Sequence, residues 1–103
     1  MNRPPPIEGI AESILYVADL ARAVAFYRDE LGLEPMTGDP VRFQSFRAGP
    51  RQVLLLFLRG GTLEPATVPG GIIPPHDGGG SHHLGFAVKA ENCDAWLTRL
   101  RQR

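Results

Sequence analysis

The chain has 103 residues, 43% of them hydrophobic, with eleven basic and eleven acidic side chains. That length holds one small domain, and that apolar content excludes wholesale disorder. The balanced charge excludes the electrostatic footprint of a nucleic-acid binder or of a protein held on an anionic membrane.

Residues 1–9, MNRPPPIEG, predict a disordered, proline-rich lead-in. They hold no apolar stretch of signal-peptide length. AESILYVA then alternates as a strand does. Glu12, Ile14 and Tyr16 share one face, and Ser13, Leu15 and Val17 the other. Asp19 is placed to cap a helix, since its carboxylate accepts from free first-turn N–H groups. Leu20, Val24, Tyr27 and Leu31 give that helix one apolar stripe, and Gly32 ends it. LEPMTGD is a short strand or turn, and VRFQSFRAG is a strand. Arg42, Gln44 and Phe46 share one of its faces, Phe43 and Ser45 the other. Gly49-Pro50 makes the next turn. RQVLLLFLR predicts a strand buried on both faces, and its apolar run is far too short to cross a bilayer. Residues 10–59 therefore read as one βαβββ module.

Residues 60–81 form a linker rich in proline and glycine, much longer than the usual connection of about four to six residues. Loops of this length join units or cover a site. His76, after two prolines, is a candidate lid residue. Gly78 to Gly80 is no phosphate loop, because it precedes a strand and lacks the lysine and hydroxyl.

Residues 82–103 repeat the opening as strand, turn and helix. His82, Leu84, Phe86 and Val88 share one strand face. His83 shares the other with Gly85 and Ala87, and these small neighbours leave room before it. Cys93, Trp96, Leu97 and Leu100 fall at helical spacing. Superposing Val17 on Val88 places Glu12 on His83. The second copy stops at Arg103, three strands short of the first. Cys93, the single cysteine, cannot form an intrachain disulfide. It fits a reducing, cytoplasmic compartment and reads as a small buried hydrophobe.

ESILYVADLARAVAFYRDELGL, with Val17, Asp19, Leu20, Phe26, Tyr27, Leu31, Gly32 and Leu33, resembles the opening of the vicinal oxygen chelate superfamily. That group includes glyoxalase I, the bleomycin- and fosfomycin-resistance proteins and extradiol dioxygenases. IPPHDGGGSHHLGFAV and AWLTRL resemble its linker and second module. The resemblance implies an α+β fold in which paired βαβββ modules form a curved mixed sheet around a cup-shaped cavity, here with the second module incomplete. It implies a small-molecule substrate or drug in the cup, a homodimer, and a divalent metal (Fe, Mn, Zn, Ni or Mg) in many members. The first-strand ligand positions fall on Glu12 and His83, with His76 and His82 as further candidates. Tyr16 and Leu55 line the cup. Glyoxalase I carries a carboxylate at the place of Leu55, so a four-ligand site is not expected. In three-ligand relatives the third ligand is a glutamate on a strand that this sequence does not contain.

A carboxylate and an imidazole suit a hard-to-borderline divalent ion. Substrate oxygens on such an ion meet a Lewis acid. That chemistry serves a lyase or isomerase, a dioxygenase, or a thiol transferase. The alternatives are metal-free sequestration of an antibiotic and a truncated inactive fragment. An open sheet edge seeks a partner, which also favours a dimer.

Overall fold

Val53–Leu58 (β4) is the most apolar strand of the chain, and it takes the position with neighbours on both edges. The computed structural model, which describes residues 3–102, pairs it in parallel with Glu12–Val17 (β1) and antiparallel with Phe43–Arg47 (β3). Glu34–Asp39 (β2) completes a four-stranded sheet of order β1-β4-β3-β2. A parallel pair needs a crossover, and Leu20–Ala25 (α1) begins it. The order β1-α1-β2-β3-β4 is the βαβββ unit expected from the sequence, and the fold class is α+β.

Asp19 is the N-cap of α1, its carboxylate accepting from Arg22 N at 3.0 Å. The helix does not run on as one α-helix to Leu31. Over Phe26–Glu30 it widens into a π turn, closed by Leu31 N donating to Phe26 O at 3.2 Å. Gly32 then takes φ +70°, the left-handed conformation a helix stop requires.

Leu20, Phe46, Leu54 and Leu56 are the buried core, with Leu15, Val17, Val24 and Tyr27 packed around them. Ser13, Leu15 and Val17 therefore form the helix-side face of β1. Strand β4 is not buried on both faces as its unbroken leucines suggested. Leu54 and Leu56 lie under α1, whereas Val53, Leu55 and Phe57 are half-buried. One helical layer covers one face only. At the far edge, the register of β2 on β3 shifts between Pro35 and Gly38. The buried Ser45 hydroxyl fills that bulge, accepting from Thr37 N at 2.9 Å and donating to Thr37 O at 2.8 Å.

The linker contains a small hairpin that hydrophobic patterning alone did not reveal, Ala66–Val68 (β5) against Gly71–Ile73 (β6). Pro69 and Gly70 turn it, Gly70 at φ +94°. Proline followed by a left-handed glycine is the signature of a type II turn.

Residues 82–88, expected as a strand, belong to no ladder. A strand exists only when its N–H and C=O groups find a neighbouring edge. This segment instead lays side chains on the helical layer, with the Phe86 ring centred 6.4 Å from that of Tyr27. The expected helix does form, as Cys93–Arg101 (α2). Arg99 holds it, Nε donating to Glu30 O at 2.7 Å and Nη2 to Asp29 O at 2.9 Å. These carbonyls end the first helix, where acceptors lack intrahelical partners. Cys93 is exposed, not buried, because α2 covers little beyond Trp96. Leu84, Phe86, Val88, Leu97 and Leu100 are also exposed. The radius of gyration is 16.2 Å, against about 13 Å for a compact chain of 100 residues. The last third of the chain is thus spread beside the sheet.

Candidate functional site

The strand register decides which side chains stand on the sheet face away from α1. Glu12, Ile14 and Tyr16 lie beside Val53, Leu55 and Phe57. Phe43 and Ser45 pair with Phe57 and Leu55, so this half of β3 joins the same face, and Phe46 turns to the core. The face is aromatic at one end. Phe43 and Phe57 stack with centroids 5.5 Å apart, and Tyr16 lies 6.3 Å from Phe57.

The linker folds back onto this end. Its anchor is Thr62, which is 2% exposed. Thr62 O accepts from His76 N at 3.0 Å, and the Thr62 hydroxyl donates to His76 O. Asp77 accepts from Gly60 N at 3.0 Å. That N–H holds the Asp77 carboxyl below the usual carboxylate range, aided by Gly78 N–H and by the charges of Arg59 and His76, with desolvation opposing. Clamped this way, the His76 ring sits edge-on to Phe57 at 4.6 Å, with Nδ1 2.8 Å from the Tyr16 hydroxyl. Gly78 packs flat on Tyr16. A Cβ there would stand 2.6 Å from Tyr16 Cδ2, so this glycine serves close approach.

The residues expected to form the site are therefore distributed unevenly. Tyr16 and His76 meet, sixty positions apart in the chain. Leu55 is half-buried on the same face, between Ile14 and Ser45. Glu12 is exposed at the start of β1, and His82 and His83 are exposed on the unpaired segment. Among the described residues, no three His, Cys, Asp or Glu side chains gather as metal donors. Glu12, His76, His82 and His83 thus do not converge within one copy. Thr62, Asp77 and Gly78 were not anticipated. The Asp-Gly step in PPHDGGG was the available signal, as a turn former after a proline pair.

A second feature lies on the helix side. A cavity of about 870 Å³ is bounded by Leu33, Pro50 and Leu54 on the first unit and by Leu84, Phe86, Trp96 and Leu100 on the last third of the chain. Tyr16 and Leu55 do not line it. Its size falls within the range of small-molecule pockets, and its walls are mainly apolar.

The model of the Glyoxalase/Bleomycin resistance protein/Dioxygenase superfamily matches residues 9–103. Among solved structures, the chain is similar to the lactoylglutathione lyase of Agrobacterium tumefaciens, with 36% identity and a TM-score of 0.79, over 95% of this chain and 72% of that one. An integron cassette protein from the mobile metagenome of the Halifax Harbour sewage outfall is 18% identical with a TM-score of 0.68, over 93% of this chain and 71% of that one. At that identity the likeness is one of fold alone. No curated protein matches the chain.

Proposed function

The chain belongs to the Glyoxalase/Bleomycin resistance protein/Dioxygenase superfamily, and on that premise we propose that it binds a small molecule against the sheet face bearing Glu12, Tyr16, Leu55 and Phe57. The observation that carries this reading is the clamp on the linker. Thr62 and Asp77 fix His76 beside Tyr16 at the edge of an aromatic surface, which is how a scaffold positions a recognition group.

Glu12 and His83 are the donors this proposal assigns to a divalent metal, with His76 and His82 as further candidates. They do not suffice within one copy. Leu55 is no donor, and no three-donor group forms among the described residues. A metal centre here would need ligands beyond those that the described residues gather. A homodimer is part of the proposal, supported by the open edges of the four-stranded sheet. So is the division into a first module over residues 10–59 and the start of a second over 82–103. A cytoplasmic location fits the single exposed Cys93, and no described helix is long and apolar enough to cross a membrane.

At 36% identity to a lactoylglutathione lyase, the first substrate to test is lactoylglutathione. The apolar, aromatic character of the face favours a second reading, metal-free sequestration of a drug.

The experiment measures metal content, lactoylglutathione turnover and sedimentation at tens of micromolar protein for the wild type, Glu12→Ala and His83→Ala. The metal reading expects a dimer whose metal and turnover fall in both variants. Full metal occupancy in both variants removes Glu12 and His83 as ligands. Bleomycin binding that survives chelation supports the second reading, and a well-folded monomer ends the homodimer proposal.

A further inference from the structure

The linker clamp leaves one polar atom uncommitted. His76 Nδ1 faces the Tyr16 hydroxyl. No described residue hydrogen-bonds His76 Nε2, and no buried side-chain nitrogen or oxygen lacks a partner. Nε2 is therefore open at the surface. A phenol that keeps its proton can donate it, and a neutral imidazole accepting that bond at Nδ1 carries its own proton on Nε2. With Tyr16 as the donor in this contact, the free nitrogen of His76 is itself a donor.

The surroundings define what that donor meets. Phe57 stands against the imidazole edge, and Phe43 and Tyr16 flank Phe57. These rings are half-buried, so a planar apolar group has surface to cover. The neighbouring carboxylate of Asp77 is turned to Gly60 N, and Arg59 packs beside Gly79. An aromatic wall, one N–H donor and a nearby guanidinium fit an aromatic ring bearing a carboxylate.

We infer that His76 is a specificity-determining residue whose Nε2–H donates to a carboxylate oxygen of an aromatic ligand on this face, with Tyr16 as the positioning residue that fixes its tautomer. The inference rests on the binding face proposed above, and the two are tested separately. The probes are benzoate and toluene, a ring with the carboxylate and one without. Methyl resonances of Ile14 and Leu55 report contact with the face, and the imidazole nitrogens of His76 report the donor.

In the free protein at neutral ring charge, Nε2 is expected to be protonated and Nδ1 to accept, and Tyr16→Phe is expected to mix the tautomers. Benzoate is expected to move both the methyl signals and Nε2. His76→Phe is expected to weaken benzoate at least about tenfold, as loss of a hydrogen bond to a charged group implies, and to leave toluene nearly unchanged. His76→Gln, which keeps an N–H donor, is expected to recover part of the loss. If benzoate still moves Ile14 and Leu55 but binds His76→Phe as tightly as the wild type, the role of His76 is overturned and the face stands. A proton found on Nδ1 in the free protein overturns the tautomer argument. If neither probe moves the methyl signals, the binding face falls, and the role of His76 with it.

Discussion

Three consecutive leucines in β4 offer a direct test of how the sheet divides its faces. Leu54 is 1% and Leu56 0% exposed, whereas Leu55 between them is half-buried on the opposite face. Replacing a buried leucine by alanine loses its transfer energy and leaves a cavity, about 2–5 kcal/mol in all. Leu56 meets the helical layer above and pairs with Leu15 and Gln44 at either side, so little can collapse into the space. At Leu55 no enclosed cavity results, and partial exposure reduces the transfer term to about 1 kcal/mol. Leu54→Ala and Leu56→Ala should each lower the melting temperature by at least about 8 °C, and Leu55→Ala by at most about that much, taking about 4–8 °C per kcal/mol for a chain of this size. Against a typical total of about 5–15 kcal/mol, either buried substitution removes a large share. Thermal melts followed by circular dichroism at one protein concentration measure the three shifts, and urea denaturation with unchanged m-values gives the corresponding free energies. A Leu55→Ala cost equal to that of Leu56→Ala would refute the assignment of faces and the ligand-facing position of Leu55.

Two further outcomes concern local devices. The Asp77 carboxyl has a lower pKa folded than unfolded, chiefly through Gly60 N–H, so its stabilisation of the linker clamp is complete above the ordinary carboxylate range and lost as pH falls through the depressed value. The protection factor of the Gly60 amide, its exchange rate relative to the unstructured rate at each pH, should fall across that acidic window in the wild type and show no such step in Asp77→Asn; superimposable profiles would remove Asp77 from the clamp. Asp19→Ala should cost about 1 kcal/mol by deleting the cap on Arg22 N, with Asp19→Asn nearly neutral in the same denaturation assay. An Asp19→Asn loss as large as that of alanine would count against capping as its role.

Much of the first unit was legible because its determinants are local. Alternation in ESILYV divided Leu15 and Val17 from Glu12, Ile14 and Tyr16, and the core confirms that division. Asp19 capped and Gly32 stopped the helix through their own backbone and side-chain chemistry. The resemblance of the opening motif to its superfamily led to the family that the chain belongs to. The π turn at Phe26–Glu30 left no mark in the apolar stripe, since it changes the hydrogen-bond step and not the residue types. The half-exposed second face of β4 was not legible either. Leucine is compatible with a covered or an open face, and only the number of layers packed on the sheet decides between them. Residues 82–88 have the periodicity of a strand and lack a ladder. Periodicity sets which side chains share a face, whereas pairing requires a free edge within reach. The contact of Tyr16 with His76 likewise required the tertiary structure. Sixty residues separate them, and neither side chain encodes the other. The linker reaches β1 because Thr62 and Asp77 close its backbone hydrogen bonds at Gly60 and His76. Local chemistry thus determined the elements and their faces, while the edges, layers and long-range contacts followed from which unsatisfied groups the folded chain could bring together.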